Sequence, residues 1–321
     1  MTIASRAHGA PAVYALHENP DWFGPFRQAF EDEGVPLVEW LLVDGTLDLD
    51  AVPPEGVFWS RISASSHTRG HGLSKDYARS VLAWLESHGR RTVNGRRVLE
   101  LEVSKVDQLT ALRAAGIDTP RTVAVVGVDR LVEAARAFPT PFLTKHNQGG
   151  KGLGVQRFDS ADELAETIGA GLFETPVDGI VLLQELLVAA EPAITRVELV
   201  DGELVYAIRA DTGLGGFQLC PADACVIDPE TGTELPQQLF SLREGFDHPL
   251  VGQYRDFARR TGIEIAGIEF IETVDGRAVT YDVNTNTNYN ADVEAAAPSS
   301  GPRQIARFLG RELAALYAAV G

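Results

Sequence analysis

Residues 142–154 read Phe142-Leu143-Thr144-Lys145-His146-Asn147-Gln148-Gly149-Gly150-Lys151-Gly152-Leu153-Gly154. The apolar run Phe142 to His146 predicts a strand that carries a lysine near its end. A glycine loop then leads to a second predicted strand, Val155 to Phe158. Glycines in such a loop allow unusual dihedrals and bring backbone N–H groups close to an anion. Gly152, not Ser or Thr, follows Lys151, and no helix comes at once, so this is not a Walker A loop. Nor is it a dinucleotide fingerprint. A cover over a triphosphate uses Gly149, Gly150, Lys151, Gly152 and Gly154 together; a merely flexible hairpin loop is the alternative.

Outward from this stretch, the chain alternates. Val13 to Leu16, Leu37 to Val43 and Val57 to Trp59 read as strands, and Phe23, Phe26 and Phe30 mark a helix that ends at Gly34. Tyr77, Val81, Leu82 and Leu85 line one face of another helix. Strand–helix alternation predicts a parallel α/β sheet. A helix from Val103 to Ala115 follows, and Thr119-Pro120 marks a break. The second region reads strand (122–126), helix (129–137), strand, glycine loop, strand, helix (161–168) and strand (180–184). Ser160 and Glu163 form a capping-box pattern at the start of that last helix. Ser104-Lys105-Val106-Asp107 opens its own helix in the same style. Lys105 then sits at the positive end of a helix dipole, a poor place for a cation unless an anion binds there. A plain surface lysine is the alternative.

Two hairpins place charges. Asp201-Gly202 and Asp275-Gly276 are two-residue turn signals between apolar runs. If Val274 faces Arg277, then Glu269 lies opposite Asp282 and Gly267 opposite Asn284, all on one face. Facing carboxylates among Ile268, Phe270 and Ile271 repel unless a cation intervenes. A hard cation such as Mg²⁺ takes carboxylate and amide oxygens, so Glu269, Asp282 and Asn284 are candidate ligands. A solvated edge, with one acid protonated or salt-bridged, is the alternative. By the same reasoning Val200 faces Glu203, Arg196 faces Ala207 and Ile194 faces Arg209. Arg196 and Arg209 then share a face and call for an anion, a carboxylate or a phosphate. Separate ion pairs, such as Arg196 with Glu198 on the same face, are the alternative.

The chain's 321 residues suit two or three domains of ~100–200 residues each. Hydrophobic residues are 45% and charged ones 23%, which excludes a disordered or fibrous chain. A net charge of −17 argues against duplex nucleic acid or an anionic membrane as a general partner. It leaves room for a small phosphate ligand in a locally basic cleft. Cys220 and Cys225 have neither zinc nor redox spacing and read as reduced thiols, giving a cytoplasmic expectation. Residues Met1 to Pro11 carry Arg6 and His8 without an apolar core, so no signal peptide is expected. Ile180 to Ala190, the most apolar stretch, is interrupted by Gln184 and Glu185, so no membrane span is expected.

Strand-lysine, glycine flap, Gln184-Glu185-Leu186-Leu187, arginine hairpin and acidic-Asn hairpin stand in an order that resembles the ATP-grasp superfamily, closest to the RimK-type carboxylate–amine ligases. The resemblance covers Val13 to Leu309. It implies an α/β and α+β chain: an N-terminal pre-ATP-grasp domain (1–100), a central subdomain with the flap (101–186) and a C-terminal subdomain (187–321), the last two clasping ATP. It implies that Lys105 and Lys145 contact the phosphates of ATP, that Gly149 to Gly154 fold over them, and that Glu185, Leu186 and Leu187 meet adenine beside Gln184. Arg196 and Arg209 would bind the acyl phosphate and the tetrahedral intermediate. Glu269, Asp282 and Asn284 would hold Mg²⁺ or Mn²⁺.

Three departures stand out. Ile194 takes the place of an acid that often precedes the first arginine, leaving Glu191 as the substitute for ribose contact. Gly216 to Pro221 lacks the asparagine usual after the second arginine. Thr285-Asn286-Thr287-Asn288-Tyr289-Asn290 replaces a Pro-Gly turn and would line an unusual substrate site, with Asn286 as its candidate contact. A further cluster, Arg61, Ser63, Ser65, Ser66, His67, Arg69 and His71, follows a strand, where α/β sheets bind ligands. There Arg61, Ser65, His67 and Arg69 suit a substrate carboxylate, and a solvated loop is the alternative. The expected activity is ATP-dependent joining of an acid and an amine, on an amino acid or a peptide. The rivals are a kinase acting on a hydroxyl and an ATP-binding regulatory module; a homo-oligomer is compatible with either.

Overall fold

The alternating N-terminal stretches fold as a four-stranded sheet. β1 (Ala12–His17), α1 (Gly24–Asp32), β2 (Leu37–Leu41), β3 (Gly56–Arg61), α2 (Ser74–Ser87) and β4 (Arg91–Val93) give the order β2-β1-β3-β4. Every pairing in it is parallel. All residues of β1 and β3 are buried, as expected where helices cover both faces. This computed structural model describes residues 10–150, 152, 154–213 and 239–317, with the backbone alone for 214 and 215. Lys151, Cys220, Cys225 and the stretch Gly216 to Pro221 lie outside the described residues.

The helix expected over Val103–Ala115 is α4 (Lys105–Ala114), and a further helix, α3 (Arg96–Val103), runs up to its start. Ser104 between them is extended, and its hydroxyl accepts from the Asp107 N–H. The capping signal therefore marks a real helix start, with an unforeseen helix ahead of it. Next come β5 (Thr122–Val126), α5 (Leu131–Arg136), β6 (Phe142–His146), β7 (Gln156–Phe158), α6 (Ala161–Gly169) and β8 (Ile180–Glu185). They form an antiparallel sheet, β5-β8-β6-β7, with its own apolar cluster around Phe138, Phe142 and Leu164.

A third, five-stranded sheet follows from β9 (Ala193–Val200), β10 (Glu203–Asp211), the short α7 (Thr212–Gly215), β11 (Phe240–Leu242), α8 (Pro249–Thr261), β12 (Ile265–Glu272) and β13 (Ala278–Asn284). Its order is β11-β10-β9-β12-β13. α8 seals one face with Tyr254 and Phe257. After α9 (Ala291–Ala296), α10 (Gly301–Tyr317) returns to the first sheet. Ile305, Phe308 and Leu309 join Val13, Phe26, Phe30 and Trp59 in one cluster, which also takes in Tyr206 and Ile208 of β10. Asn94 fastens the same junction, donating to Ile265 O (2.8 Å) and Thr285 O (3.2 Å).

Candidate functional site

The three sheets converge on a cavity of about 250 Å³. Each hairpin reaches it through a one-residue irregularity. In β12–β13 the turn is one residue longer than expected: Thr273, not Val274, sits across from Arg277, the Thr273 N–H donating to Arg277 O at 2.9 Å. Tyr281 is then an extra residue on β13, between the Phe270/Thr280 and Glu269/Asp282 pairs. The two offsets cancel. Glu269 lies opposite Asp282 and Gly267 opposite Asn284, as the register reading expected.

In β9–β10 the turn has the expected length, with Asp201 and Gly202 both at positive φ and Val200 opposite Glu203. A bulge at Val205 then shifts the pairing, so Arg196 faces Ile208 and Arg209 faces Thr195. The expectation that Arg196 and Arg209 share a face is therefore corrected: an extra residue reverses which side every later side chain takes. Arg209 lies outside the cavity lining, near the exposed Glu191 (Nη2 to Oε2 3.3 Å) and Asp211. Glu191 is likewise outside the lining.

Arg196 is 4% exposed and firmly held. Its Nε donates to Glu198 Oε1 (2.6 Å), Nη1 to Glu269 Oε1 (2.9 Å) and Nη2 to Thr287 Oγ1 (2.5 Å). Thr287 Oγ1 in turn donates a hydrogen bond to Glu198 Oε2 at 2.8 Å. Burial opposes the guanidinium charge, yet Glu198 and Glu269 raise its pKa above the ordinary arginine value. Gly267 makes the room: a Cβ there would stand 2.5 Å from the guanidinium.

Lys105 Nζ pairs with Asp282 Oδ1 across the cavity. Lys145 extends from β6 toward the Tyr281 ring, 5.3 Å from its centroid. Burial, then the neighbouring Lys105, pulls Lys145 down to about 8. Burial alone would raise the Asp282 carboxyl, but Lys105 and Lys145 hold it below its usual value. Tyr281 donates to Glu269 Oε2 (2.8 Å), and Asn284 Nδ2 to Glu269 Oε1 (3.3 Å). Asn147 closes the N-terminus of α4, taking the Val106 N–H at 2.9 Å, so the helix end beneath Lys105 is capped from within.

Gly149, Gly150 and Gly152 line the cavity, as do Gln184, Glu185, Leu186 and Leu187. Gly154 stands at the root of the loop with φ +71°, where a Cβ would meet the His146 ring at 2.4 Å. The Glu185 carboxylate turns away, accepting from the Arg121 N–H and Arg277 Nη1, each at 2.8 Å. The apolar Leu143 and Ile271 line the same cavity.

Of the N-terminal cluster, Ser63 and Ser65 line the cavity, and Asn286 from the loop after β13 does too. Arg61, His67 and Arg69 do not. Arg61 is 3% exposed, lies 4.0 Å from the Phe26 ring centroid and donates to Thr287 O at 2.8 Å. Arg69 donates to Glu18 (2.6 Å) and His67 Nδ1 contacts Ala64 O (3.2 Å). The expected basic carboxylate site is thus not assembled, because each of these groups has a partner inside the protein.

Several residues went unforeseen. Gln108, one turn after Lys105, donates to Val283 O (2.8 Å) and accepts from Val283 N (3.1 Å), tying α4 to β13. Buried Glu102 accepts from Thr285 N (2.7 Å), Thr285 Oγ1 (2.9 Å) and Ala64 N (3.3 Å). Nothing in their local patterns distinguishes these from surface polar residues; only the tertiary contacts do.

The donor set of Glu269, Asp282 and Asn284 suits a hard divalent cation. Among the described residues no group of three His, Cys, Asp or Glu side chains could hold a metal. A Mg²⁺ ion here would rest on two carboxylates, the amide and phosphate oxygens of a ligand, a usual arrangement for that ion.

The chain has the ATP-grasp fold. It is similar over 92% of its length to 98% of a RimK domain ATP-grasp protein from Sphaerobacter thermophilus DSM 20745, with TM-score 0.64 and 18% identity. The ATP-grasp ligase PsnB, complexed with a phosphomimetic variant of minimal precursor, Mg and ADP, matches at TM-score 0.63 and 15% identity, covering 94% of this chain and 98% of that one. D-alanyl-alanine synthetase A from Vibrio cholerae O1 biovar eltor matches at TM-score 0.66 and 12% identity, over 95% and 99% of the two chains. No family model matches the sequence, and neither does any curated protein. Among the described residues no helix is long and apolar enough to cross a membrane.

Proposed function

We propose that the protein is an ATP-dependent carboxylate–amine ligase working through an acyl phosphate. The observation that carries this reading is a single cavity lined by the glycine loop, Lys105, Lys145, Arg196 and the Glu269/Asp282 pair. Solved ligases of this fold include one bound to Mg and ADP and one that makes D-alanyl-alanine.

Adenine lies between Leu143 and Ile271 and meets backbone groups of Glu185, Leu186 and Leu187. Lys105 and Lys145 bind phosphate oxygens, and Gly149, Gly150 and Gly152 approach them closely. Mg²⁺ at Glu269, Asp282 and Asn284 supplies charge neutralisation. The substrate carboxylate attacks the γ-phosphorus, the bond to the β-phosphate oxygen breaks, and ADP leaves. An amine then attacks the acyl carbon, phosphate departs, and the surplus amine proton passes to solvent. Arg196, fixed by Glu198 and Thr287, offers charge to the transferred phosphoryl group without reorganising.

The test is trapping. With ATP, Mg²⁺, a panel of amino acids and hydroxylamine, a hydroxamate forms from the correct acid. A phosphate ester inert to hydroxylamine would replace the ligase by a kinase. Nucleotide binding with no turnover on any acid would leave a regulatory module.

A further inference from the structure

Lysine stands at four positions only, 75, 105, 145 and 151. Lys105 and Lys145 line the cavity, and Lys151 belongs to the glycine loop. Lys75 does neither. It lies in the first turn of α2, on the first sheet, yet its Nζ donates to Gln148 Oε1 at 2.5 Å. Among the described residues no carboxylate comes within 4.0 Å of this ammonium. No ion pair therefore competes with the amide, and the bond is charge-assisted.

Gln148 is 2% exposed and is the last side chain before the cavity-lining Gly149 and Gly150. Both ends of its amide reach the first sheet's side of the molecule: Oε1 accepts from Lys75, and Nε2 donates to Ala64 O at 3.4 Å. These partners fix the amide's orientation, because an ammonium only donates and a carbonyl only accepts. Asn147, just before it, is fastened elsewhere. Its N–H donates to Ile180 O (3.1 Å) and its Nδ2 to Asp178 Oδ2 (2.7 Å), while its carbonyl accepts from the Lys105 N–H (3.1 Å). Just after it, a Cβ on Gly150 would stand 3.4 Å from Ser65 Cβ, so the loop backbone lies against the segment that follows β3. That segment is itself anchored. The Ala64 N–H donates to Glu102 Oε1 (3.3 Å), whose other oxygen accepts from Thr285 N (2.7 Å).

We propose that Lys75 is a positioning residue which, through Gln148, holds the start of the glycine loop against the first sheet's loop before nucleotide arrives. Phosphates then meet backbone that is already placed, and less ordering is required on binding. Lys75 thereby contributes to nucleotide affinity without lining the cavity. This rests on the reading of the cavity as an ATP site, and it deepens that reading.

Calorimetric titration of the whole protein with Mg²⁺ and a non-hydrolysable ATP analogue tests it without turnover. Lys75→Met and Gln148→Ala should each weaken binding about tenfold, the scale of one charge-assisted hydrogen bond. The double variant should bind no more weakly than the weaker single one, since each removes the same bond. Lys75→Arg, which keeps a charged donor, should stay within about threefold of wild type. Lys75→Met should leave the denaturant midpoint in place, which a purely structural lysine would not. Additive losses, a Lys75→Arg variant as weak as Lys75→Met, a loss that tracks the denaturant midpoint, or Lys75→Met binding as tightly as wild type overturns this proposal alone. A wild-type protein that binds no analogue overturns it together with the nucleotide reading. The expected pattern without hydroxamate formation upholds the role of Lys75 and sinks the ligase reading instead.

Discussion

The two hairpins of the third sheet were read by one rule and answered it differently. Both carry an Asp-Gly turn, and both carry a one-residue bulge, at Val205 and at Tyr281. In β12–β13 a longer turn offsets the bulge, so the acidic pair lands where a plain hairpin would put it. In β9–β10 nothing offsets it, and Arg209 emerges on the side opposite Arg196. Turn chemistry determines register only up to the first bulge. Beyond it, parity is decided by which side chains the core accepts. Tyr206 and Ile208 take the inward positions beside α10, and Arg209 is turned out.

The sharpest way to break this contrast is at Asp282. Asp282→Asn should lower hydroxamate formation on the order of 10³-fold while circular dichroism reports an intact fold. Activity near wild type at modest Mg²⁺ would remove the acidic hairpin from the chemistry. The arginines come next. Arg196→Ala should cost about 10²–10³-fold in kcat, the scale for losing one preorganised donor. Arg209→Ala should stay within about threefold, as for a surface ion pair. Equal losses would mean that the outward side of β10 also serves the site.

Gly267→Ala probes the same arginine from across the strand pair. The added methyl meets the guanidinium at 2.5 Å. Turnover should fall about 10–100-fold, since small displacements of a charged donor are expensive. A variant with unaltered kcat would show that Arg196 need not be held so closely. Tyr281→Phe tests the bulge residue itself. It loses one hydrogen bond to Glu269, worth about 1 kcal/mol, so kcat should drop by roughly threefold to tenfold. A denaturant midpoint that moves while kcat does not would make Tyr281 a purely structural residue.

Local pattern made the parallel sheet, the strand pair flanking the glycine loop, and the Ser104 and Ser160 caps legible, because each depends on neighbours a few residues away. Glu269 and Asp282 were legible through two unrecognised offsets that cancelled. The N-terminal cluster misled for a different reason. Arg61 and Asn288 are 227 residues apart in sequence, and no local rule signals their bond. α3 was hidden because Arg96, Arg97, Glu100 and Glu102 make it read as polar, although Glu102 points into the protein.

α10 has a consequence for how the chain is made. Phe30 and Trp59 emerge from the ribosome well before Ile305, Phe308 and Leu309, which cover the same cluster. The first sheet must wait, with aromatic surface uncovered, until α10 has been translated. A nascent chain arrested before Gly301 is accordingly a substrate for chaperones, and the N-terminal sheet is a poor choice for excision as an independent module.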